Sequence, residues 1–266
     1  MEKLTEVAEK ETARRTQQVQ DKFASSVCSI YGVLDSKTFP HLGSGTVVRW
    51  EAEFWLLTAR HLVKAGRKAQ DFFAVTSNCS QPVSMTRRFV LSGLEQDLAL
   101  CALNAAEVQA LNVQPIDGRD FFSKPQPVTG RALCTLGWPN SKNKLDRYSR
   151  KAGSQMIVAG PQRAATDLGL KLEDDALFLF QKYHPSGAID ENRARLNAPN
   201  LEGLSGGLTL DLGNPVDPRA LLNEDSVQIH PVGICTKYDP HKRMIRSTRP
   251  AEFIRALIES NTILEC

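Results

Sequence analysis

Residues 54–61 read Phe-Trp-Leu-Leu-Thr-Ala-Arg-His, an apolar run that gives way within a few positions to a histidine. Short runs of aromatic and aliphatic residues bounded by polar segments are typical of buried β-strands. The run therefore predicts a core strand that ends just before His61. A histidine in that place is presented at the edge of a hydrophobic core.

Runs of the same kind lie on both sides of this strand, and turn-like clusters separate most of them. They predict five further strands, at residues 27–34, 43–49, 72–77, 83–91 and 98–103. Six such strands favour a closed antiparallel barrel, because closure removes unpaired strand edges. We expect this barrel to span residues 24–110.

A second series of strands follows residues 111–128, a stretch with several Pro and Gly residues that we interpret as a linker. Its members are residues 132–138, 156–159, 176–183, 207–212, 227–235 and 244–247. We expect them to form a second barrel within residues 129–250. The predicted fold class is all-β, with two antiparallel six-stranded β-barrels.

Both ends of the chain read as helices. Residues 1–23 are polar, with a thin apolar stripe formed by Leu4, Ala8, Val19 and Phe23. We expect this helix to pack lightly on the body of the protein; contact with a partner is the other interpretation. Residues 251–266 follow a proline and carry an apolar helical face, which predicts a C-terminal helix.

Composition excludes several classes of protein. The net charge of +3 is too small to indicate nucleic-acid binding. No apolar run approaches the roughly 20 residues needed to cross a membrane, and the N-terminus lacks the apolar core of a signal peptide. The six cysteines form no metal-binding spacing, and four of them, at 28, 101, 134 and 235, lie in apolar runs as reduced core thiols. We expect a cytoplasmic protein without a metal or cofactor.

Three short motifs carry the candidate chemistry. Thr58-Ala59 precedes His61, Asp97 opens the apolar run Asp-Leu-Ala-Leu, and Ser205 lies within Gly-Leu-Ser-Gly-Gly at 203–207. Asp71 and Glu95 are rival acids, but neither opens such a run. Each motif is modest alone, whereas the order His, Asp, Ser is specific.

With these motifs the chain resembles the chymotrypsin/trypsin-like serine peptidases, whose signatures are T-A-x-H, D-x-A-L and G-x-S-G-G. Gly-Ser-Gly at 43–45, Gly-Trp-Pro at 137–139 and Val-Gly-Ile at 232–234 also fit, so the resemblance covers residues 24–260. It implies a chymotrypsin-like fold and a serine endopeptidase of the intracellular bacterial type. The implied partners are a protein or peptide substrate, with no nucleic acid and no membrane.

The resemblance also implies a role for each motif residue. Ser205 would attack the peptide carbonyl, His61 would take and return the proton, and Asp97 would orient the imidazole. The backbone N–H groups of Gly203 and Ser205 would form the oxyanion hole, in a tight turn that glycine makes accessible.

Departures from the family pattern bear on regulation. Leu62 and Leu201 stand where secreted members carry disulfide cysteines, and Leu204 replaces the aspartate that pairs with a newly cleaved N-terminus. The activation-site sequence of secreted zymogens is absent as well. We therefore expect activity without N-terminal cleavage, either constitutive or gated by loop ordering, substrate or a regulatory protein partner.

The substrate pocket can be assigned only through the resemblance. Pro199 stands where trypsins keep an acid, Glu202 would lie at the rim, and Thr236, Lys237 and Tyr238 would form a wall. The absence of an acid at the base, with Tyr238 narrowing the pocket, predicts a small or medium uncharged residue before the cut.

Two other functions remain open from the sequence. A trypsin-like fold without turnover would act as a binding module, although all three triad residue types are retained. The Gly-x-Ser-x-Gly pattern also fits the nucleophile elbow of an α/β-hydrolase esterase, with Asp225 and His230 or His241 as downstream partners. That fold would require a strand–turn–helix around Ser205.

Overall fold

The two series of strands form two separate sheets in the structure, a computed structural model. It describes residues 4–33, 39–65, 71–85, 88–122, 130–140, 155–171, 174–183, 188–190, 195–196, 201–217, 229–251 and 253–255. Nearly all strand pairs are antiparallel, and the chain is mostly β, which confirms the predicted fold class.

The N-terminal sheet has the order β5-β4-β1-β2-β3-β7-β6, and β8 pairs in parallel with β2. Its strands are β1 (Val27–Val33), β2 (His41–Trp50), β3 (Glu53–Ala59), β4 (Asp71–Val75), β5 (Val83–Ser84), β6 (Phe89–Leu91), β7 (Leu98–Leu103) and β8 (Ile116–Asp117).

This sheet is a half-barrel in the described residues, whereas the sequence predicted a closed barrel. The run at 83–91 is divided into β5 and β6, which are 2 and 3 residues long. Strands that short offer too few backbone groups for a ladder that would close the sheet. We call this sheet the half-barrel below.

The C-terminal sheet closes into the predicted six-stranded barrel. Its path β11-β16-β15-β14-β9-β10 returns to β11 through the pairs Gln162–Gln181 and Arg163–Phe180, and two short strands, β12 and β13, extend it beyond β10. The strands are β9 (Ala132–Gly137), β10 (Met156–Arg163), β11 (Phe178–Lys182), β12 (Ala188–Asp190), β13 (Arg195–Leu196), β14 (Leu208–Gly213), β15 (His230–Asp239) and β16 (Met244–Thr248).

Helix α1 (Leu4–Phe23) packs on the closed barrel. Val19 and Phe23 are buried in the main hydrophobic cluster. The guanidinium of Arg15, which is 1% exposed, donates to the carbonyls of Leu212 and Asn214 at the end of β14. The packing interpretation of this helix is confirmed, and the contact is more extensive than its thin apolar stripe suggests.

Besides α2 (Arg60–Ala65), which belongs to the site described below, the described part of the chain contains two other short α-helices. Helix α3 (Ala105–Leu111), not predicted from the sequence, begins with a capping box between Asn104 and Glu107. Helix α4 (Asp174–Leu177) leads into β11. Of the predicted C-terminal helix, Ala251 and the segment 253–255 are helical, and the remainder lies outside the described residues.

The cysteines in the apolar runs are free and buried, as predicted. Burial raises the pKa of Cys28, Cys101 and Cys235 to about 12, so these thiols stay protonated and unreactive near neutral pH. Among the described helices, none combines the length and apolar character that a membrane span requires.

Candidate active site

His61 lies at the junction of a core strand and a short helix. Strand β3 ends at Ala59, and α2 (Arg60–Ala65) begins at the next residue. Residues 55–59 of β3 are buried, whereas the His61 side chain is 45% exposed. The strand therefore anchors the histidine while its ring faces a cleft.

Asp97 is brought to His61 by the pairing of two adjacent strands. Strands β3 and β7 are antiparallel with Ala59 opposite Leu98, so the residues just beyond that pair are neighbours. Asp97 has a φ of 54°, in the left-handed region that few non-glycine residues adopt. Its Oδ2 lies 2.7 Å from Nδ1 of His61, and its Oδ1 accepts the backbone N–H of His61 at 2.9 Å.

Arg60 and the two rival acids do not contact this pair through their side chains. The Arg60 guanidinium donates to the Ser92 carbonyl, so its cation is held by backbone on the loop before Asp97. Of the rival acids, Asp71 begins β4 opposite Val33, and Glu95 is exposed in a turn. Neither of the two lines the cleft that holds His61 and Asp97.

Two positions in the turn at 203–207 have a backbone conformation that only glycine fits. Gly203 and Gly206 have φ values of 95° and 87°. A Cβ on Gly203 would lie 2.7 Å from the Trp138 carbonyl oxygen, and one on Gly206 would lie 1.8 Å from that of Ser44. Both glycines are therefore required by the close approach of neighbouring backbone as well as by φ.

Two peptide planes of this turn are fixed by hydrogen bonds to their carbonyl oxygens. The Glu202 carbonyl accepts the Asn140 N–H at 2.6 Å, and the Leu204 carbonyl accepts the Gly207 N–H at 2.8 Å. In a trans peptide the N–H points opposite to the C=O. The N–H groups of Gly203 and Ser205 therefore point away from these partners, and neither has an acceptor among the described residues.

Strand β2 of the half-barrel positions the turn across from His61. The backbone N–H of Ser44 donates to the Ser205 carbonyl at 2.7 Å. Ser205, Gly203, His61 and Asp97 then line one cleft of about 730 Å³. Within the described residues the His61 ring is hydrogen-bonded to Asp97 only, so no hydrogen bond joins it to the Ser205 hydroxyl. In enzymes without bound substrate, the contact between a nucleophile and its base is often long.

Four of the five predicted pocket residues line the same cleft. They are Glu202, which is exposed, and the β15 segment 236–238. The Tyr238 hydroxyl lies 2.5 Å from the hydroxyl of the buried Tyr183, and burial raises the pKa of Tyr238. Pro199 lies outside the described residues.

Three residues that the sequence analysis did not single out support the turn, directly or through one another: His41, Ser44 and Asn140, the last of which also lines the cleft. The His41 Nδ1 contacts the Asn140 side-chain oxygen, and burial lowers the pKa of His41 to about 4, so its ring is neutral at physiological pH. Ser44 and Asn140 belong to or adjoin the Gly-Ser-Gly and Gly-Trp-Pro motifs. Those motifs were a signal that could have pointed to them.

Similarity to known proteins is found among solved structures. No protein-family model matches the chain, and no curated protein matches it. Among solved structures, the HtrA-type protease AlgW with a tripeptide is 16% identical over 92% of this chain, with a TM-score of 0.52; this chain spans 64% of AlgW. The MamO protease domain from Magnetospirillum magneticum is 14% identical over 88% of this chain and 96% of that domain, with a TM-score of 0.51.

At these identities the likeness concerns the fold. Both solved structures have the architecture of trypsin-like serine proteases, and the half-barrel, the closed barrel and the N-terminal helix described here match a chymotrypsin-like fold. The α/β-hydrolase alternative is wrong, because Ser205 lies in a turn that leads into β14 of an antiparallel barrel.

Proposed function

We propose that the protein is a serine endopeptidase in which Ser205, His61 and Asp97 form a catalytic triad. The observation that carries the proposal is the pair of hydrogen bonds that the Asp97 carboxylate accepts from His61, in the cleft that Ser205 also lines. A carboxylate bonded to Nδ1 leaves Nε2 as the basic nitrogen, which is the tautomer that a general base requires.

The proposed reaction proceeds through an acyl-enzyme. His61 Nε2 takes the Ser205 hydroxyl proton as Oγ attacks the substrate carbonyl, and the imidazolium is stabilised by Asp97. The same proton is returned to the leaving amine when the C–N bond breaks. Water then attacks the ester with His61 again acting as base, which releases the carboxylic acid and restores Ser205.

The backbone N–H groups of Gly203 and Ser205 are the proposed oxyanion hole. Donors that are already oriented stabilise the developing negative charge without reorganisation, and losing one typically costs about 10²–10³ in rate. Leu204, between them, is fully buried among apolar side chains that include Leu201 and Ile245. An apolar residue there cannot pair with a new N-terminus, which supports activity without N-terminal cleavage.

The substrate in this proposal is a protein or peptide chosen by the pocket beside Ser205. AlgW holds a tripeptide in its solved structure, and an extended peptide in the cleft of this chain would run beside the β15 segment 236–238. The absent disulfide cysteines support a cytoplasmic site of action, where a selective substrate or a regulatory partner would limit proteolysis.

A peptide-library digest tests the function directly. We expect the full chain to cleave a mixture of unstructured peptides at internal bonds, with mass spectrometry identifying the cut sites. Intact peptides after prolonged incubation, together with saturable binding of some of them, would favour the binding module over the enzyme. Cleavage of the same bonds at the same rate by the Ser205→Ala variant would indicate a contaminating protease.

Tyr238 is expected to limit the size of the residue before the cut. Its ring lines the cleft and packs against the ring of Tyr183, with the two ring centroids 5.6 Å apart. Tyr238→Ala should move the library preference from small side chains toward Leu and Phe, by about 10-fold or more in kcat/KM, since each additional methylene held in an apolar pocket is worth about 1–3 kcal/mol.

Tyr238→Phe is the matched control, because it keeps the ring and removes only the hydroxyl. It should keep the preference for small residues. An unchanged cleavage profile in Tyr238→Ala would show that another residue sets the size of the pocket.

A further inference from the structure

Ser44 lies where the half-barrel meets the closed barrel, and its hydroxyl bridges two backbone segments of the latter. The side chain is fully buried. Its Oγ accepts the Trp138 N–H at 2.8 Å and donates to the Gly203 carbonyl at 2.8 Å. A hydroxyl has one proton to donate, so the acceptor of that proton is fixed as Gly203.

The bridge acts on the peptide planes around the Gly203 N–H. The plane before this N–H is held through the Glu202 carbonyl by Asn140, and the carbonyl that follows is held by Ser44. Each peptide is planar, so a residue whose preceding and following peptide planes are both held by hydrogen bonds retains little freedom at φ and ψ. The Gly203 N–H direction is therefore set by one contact from each barrel.

The Trp138 end of the bridge lies in the same segment as Asn140, the residue that holds the Glu202 carbonyl. Trp138 is two residues before Asn140, and a Cβ on Gly137 would lie 2.9 Å from the Ser44 Oγ. The segment 137–140, the turn at Gly203 and the Ser44 hydroxyl thus form one buried junction. Loss of the hydroxyl would leave a buried N–H and a buried C=O without partners, and both segments would shift to satisfy them.

We propose that Ser44, on β2 of the half-barrel, is a positioning residue that aligns the oxyanion-hole donor Gly203 of the closed barrel. This inference rests on the proposed function, since it assigns a role within that oxyanion hole. The Ser44 hydroxyl does not touch the substrate; it acts through the Gly203 carbonyl. The backbone N–H of Ser44 separately holds the Ser205 carbonyl, a contact that a change of side chain leaves in place.

Ser44→Ala isolates the hydroxyl, because it removes one atom and introduces no clash. We expect kcat on the best library peptide to fall about 10- to 100-fold with KM changed less than about threefold, since a misaligned donor costs less than the 10²–10³ of a deleted one. Inhibition by the matching peptide aldehyde, whose adduct places an oxyanion in the hole, should weaken by the same factor as kcat.

Ser26→Ala is the matched control. Ser26 is also buried, and its hydroxyl donates to the Gln114 carbonyl at 2.6 Å in a part of the chain that does not line the cleft. It should lower thermal stability without changing kcat. Equal kcat and equal aldehyde affinity in Ser44→Ala and the wild type would overturn the proposed role of Ser44.

Amide hydrogen exchange separates this inference from the proposed function. In Ser44→Ala we expect faster exchange confined to peptides covering residues 201–207 and 137–140, and in Ser26→Ala no change there. If the wild type has no peptidase activity, the proposed function fails while exchange still tests the bridge. Unchanged exchange in both segments would then overturn the inference as well.

Discussion

Replacing Ser205 with alanine should lower kcat on the best library peptide by about 10⁶-fold, with little effect on thermal stability. Removing the nucleophile of a cooperating triad costs about as much as removing the whole triad. Ser205 is partly exposed in the cleft, and its hydroxyl has no described structural partner, so the fold should tolerate its loss.

The measurement compares initial rates of peptide cleavage for the wild type, Ser205→Ala and Ser80→Ala. Ser80 is an exposed serine whose hydroxyl bonds the Ala110 carbonyl, in a part of the half-barrel that does not line the cleft, and its replacement should leave kcat unchanged. Comparable rates in Ser205→Ala and the wild type would exclude Ser205 as the nucleophile.

Asp97→Asn should lower kcat by about 10⁴-fold while leaving the fold intact. The asparagine can keep one hydrogen bond to the His61 backbone, but its amide favours the wrong imidazole tautomer and cannot stabilise the imidazolium. The loss should therefore appear in kcat more than in KM. Thermal unfolding checks that the left-handed turn at Asp97 survives, which asparagine tolerates well.

Asp117→Asn is the control for this change. Asp117 pairs with Arg119 at 2.7 Å on the surface and does not line the cleft, so its replacement should not affect kcat. If Asp97→Asn retained more than about a tenth of the wild-type rate, Asp97 would not be the group that orients His61.

The parts of the structure with strong local signals were predictable. Strand β7 occupies Leu98–Leu103 as expected, because its run of apolar residues is bounded by Asp97 and Asn104. Once β3 and β7 pair, His61 and Asp97 must be neighbours. The glycines around Ser205 similarly reveal a turn that must accept positive φ.

The features that were missed depend on contacts between distant residues. The run at 83–91 is divided near Arg88, whose guanidinium pairs with the Glu107 carboxylate on α3 at 2.5 Å. No pattern in the neighbouring sequence predicts this pairing. The half-barrel stays open because β5 and β6, which pair with β4 and β7, are too short to pair with each other. His41, Ser44 and Asn140 acquire their roles only when the two barrels meet.

The most direct measurement is to label the wild-type protein with a fluorophosphonate and locate the adduct by tandem mass spectrometry. This probe reacts with a serine hydroxyl that a neighbouring base has activated. We predict a single adduct on Ser205 that disappears in His61→Ala, where the hydroxyl remains but the base is lost. An unlabelled wild type, or an adduct on Ser205 that forms equally fast without His61, would contradict the account.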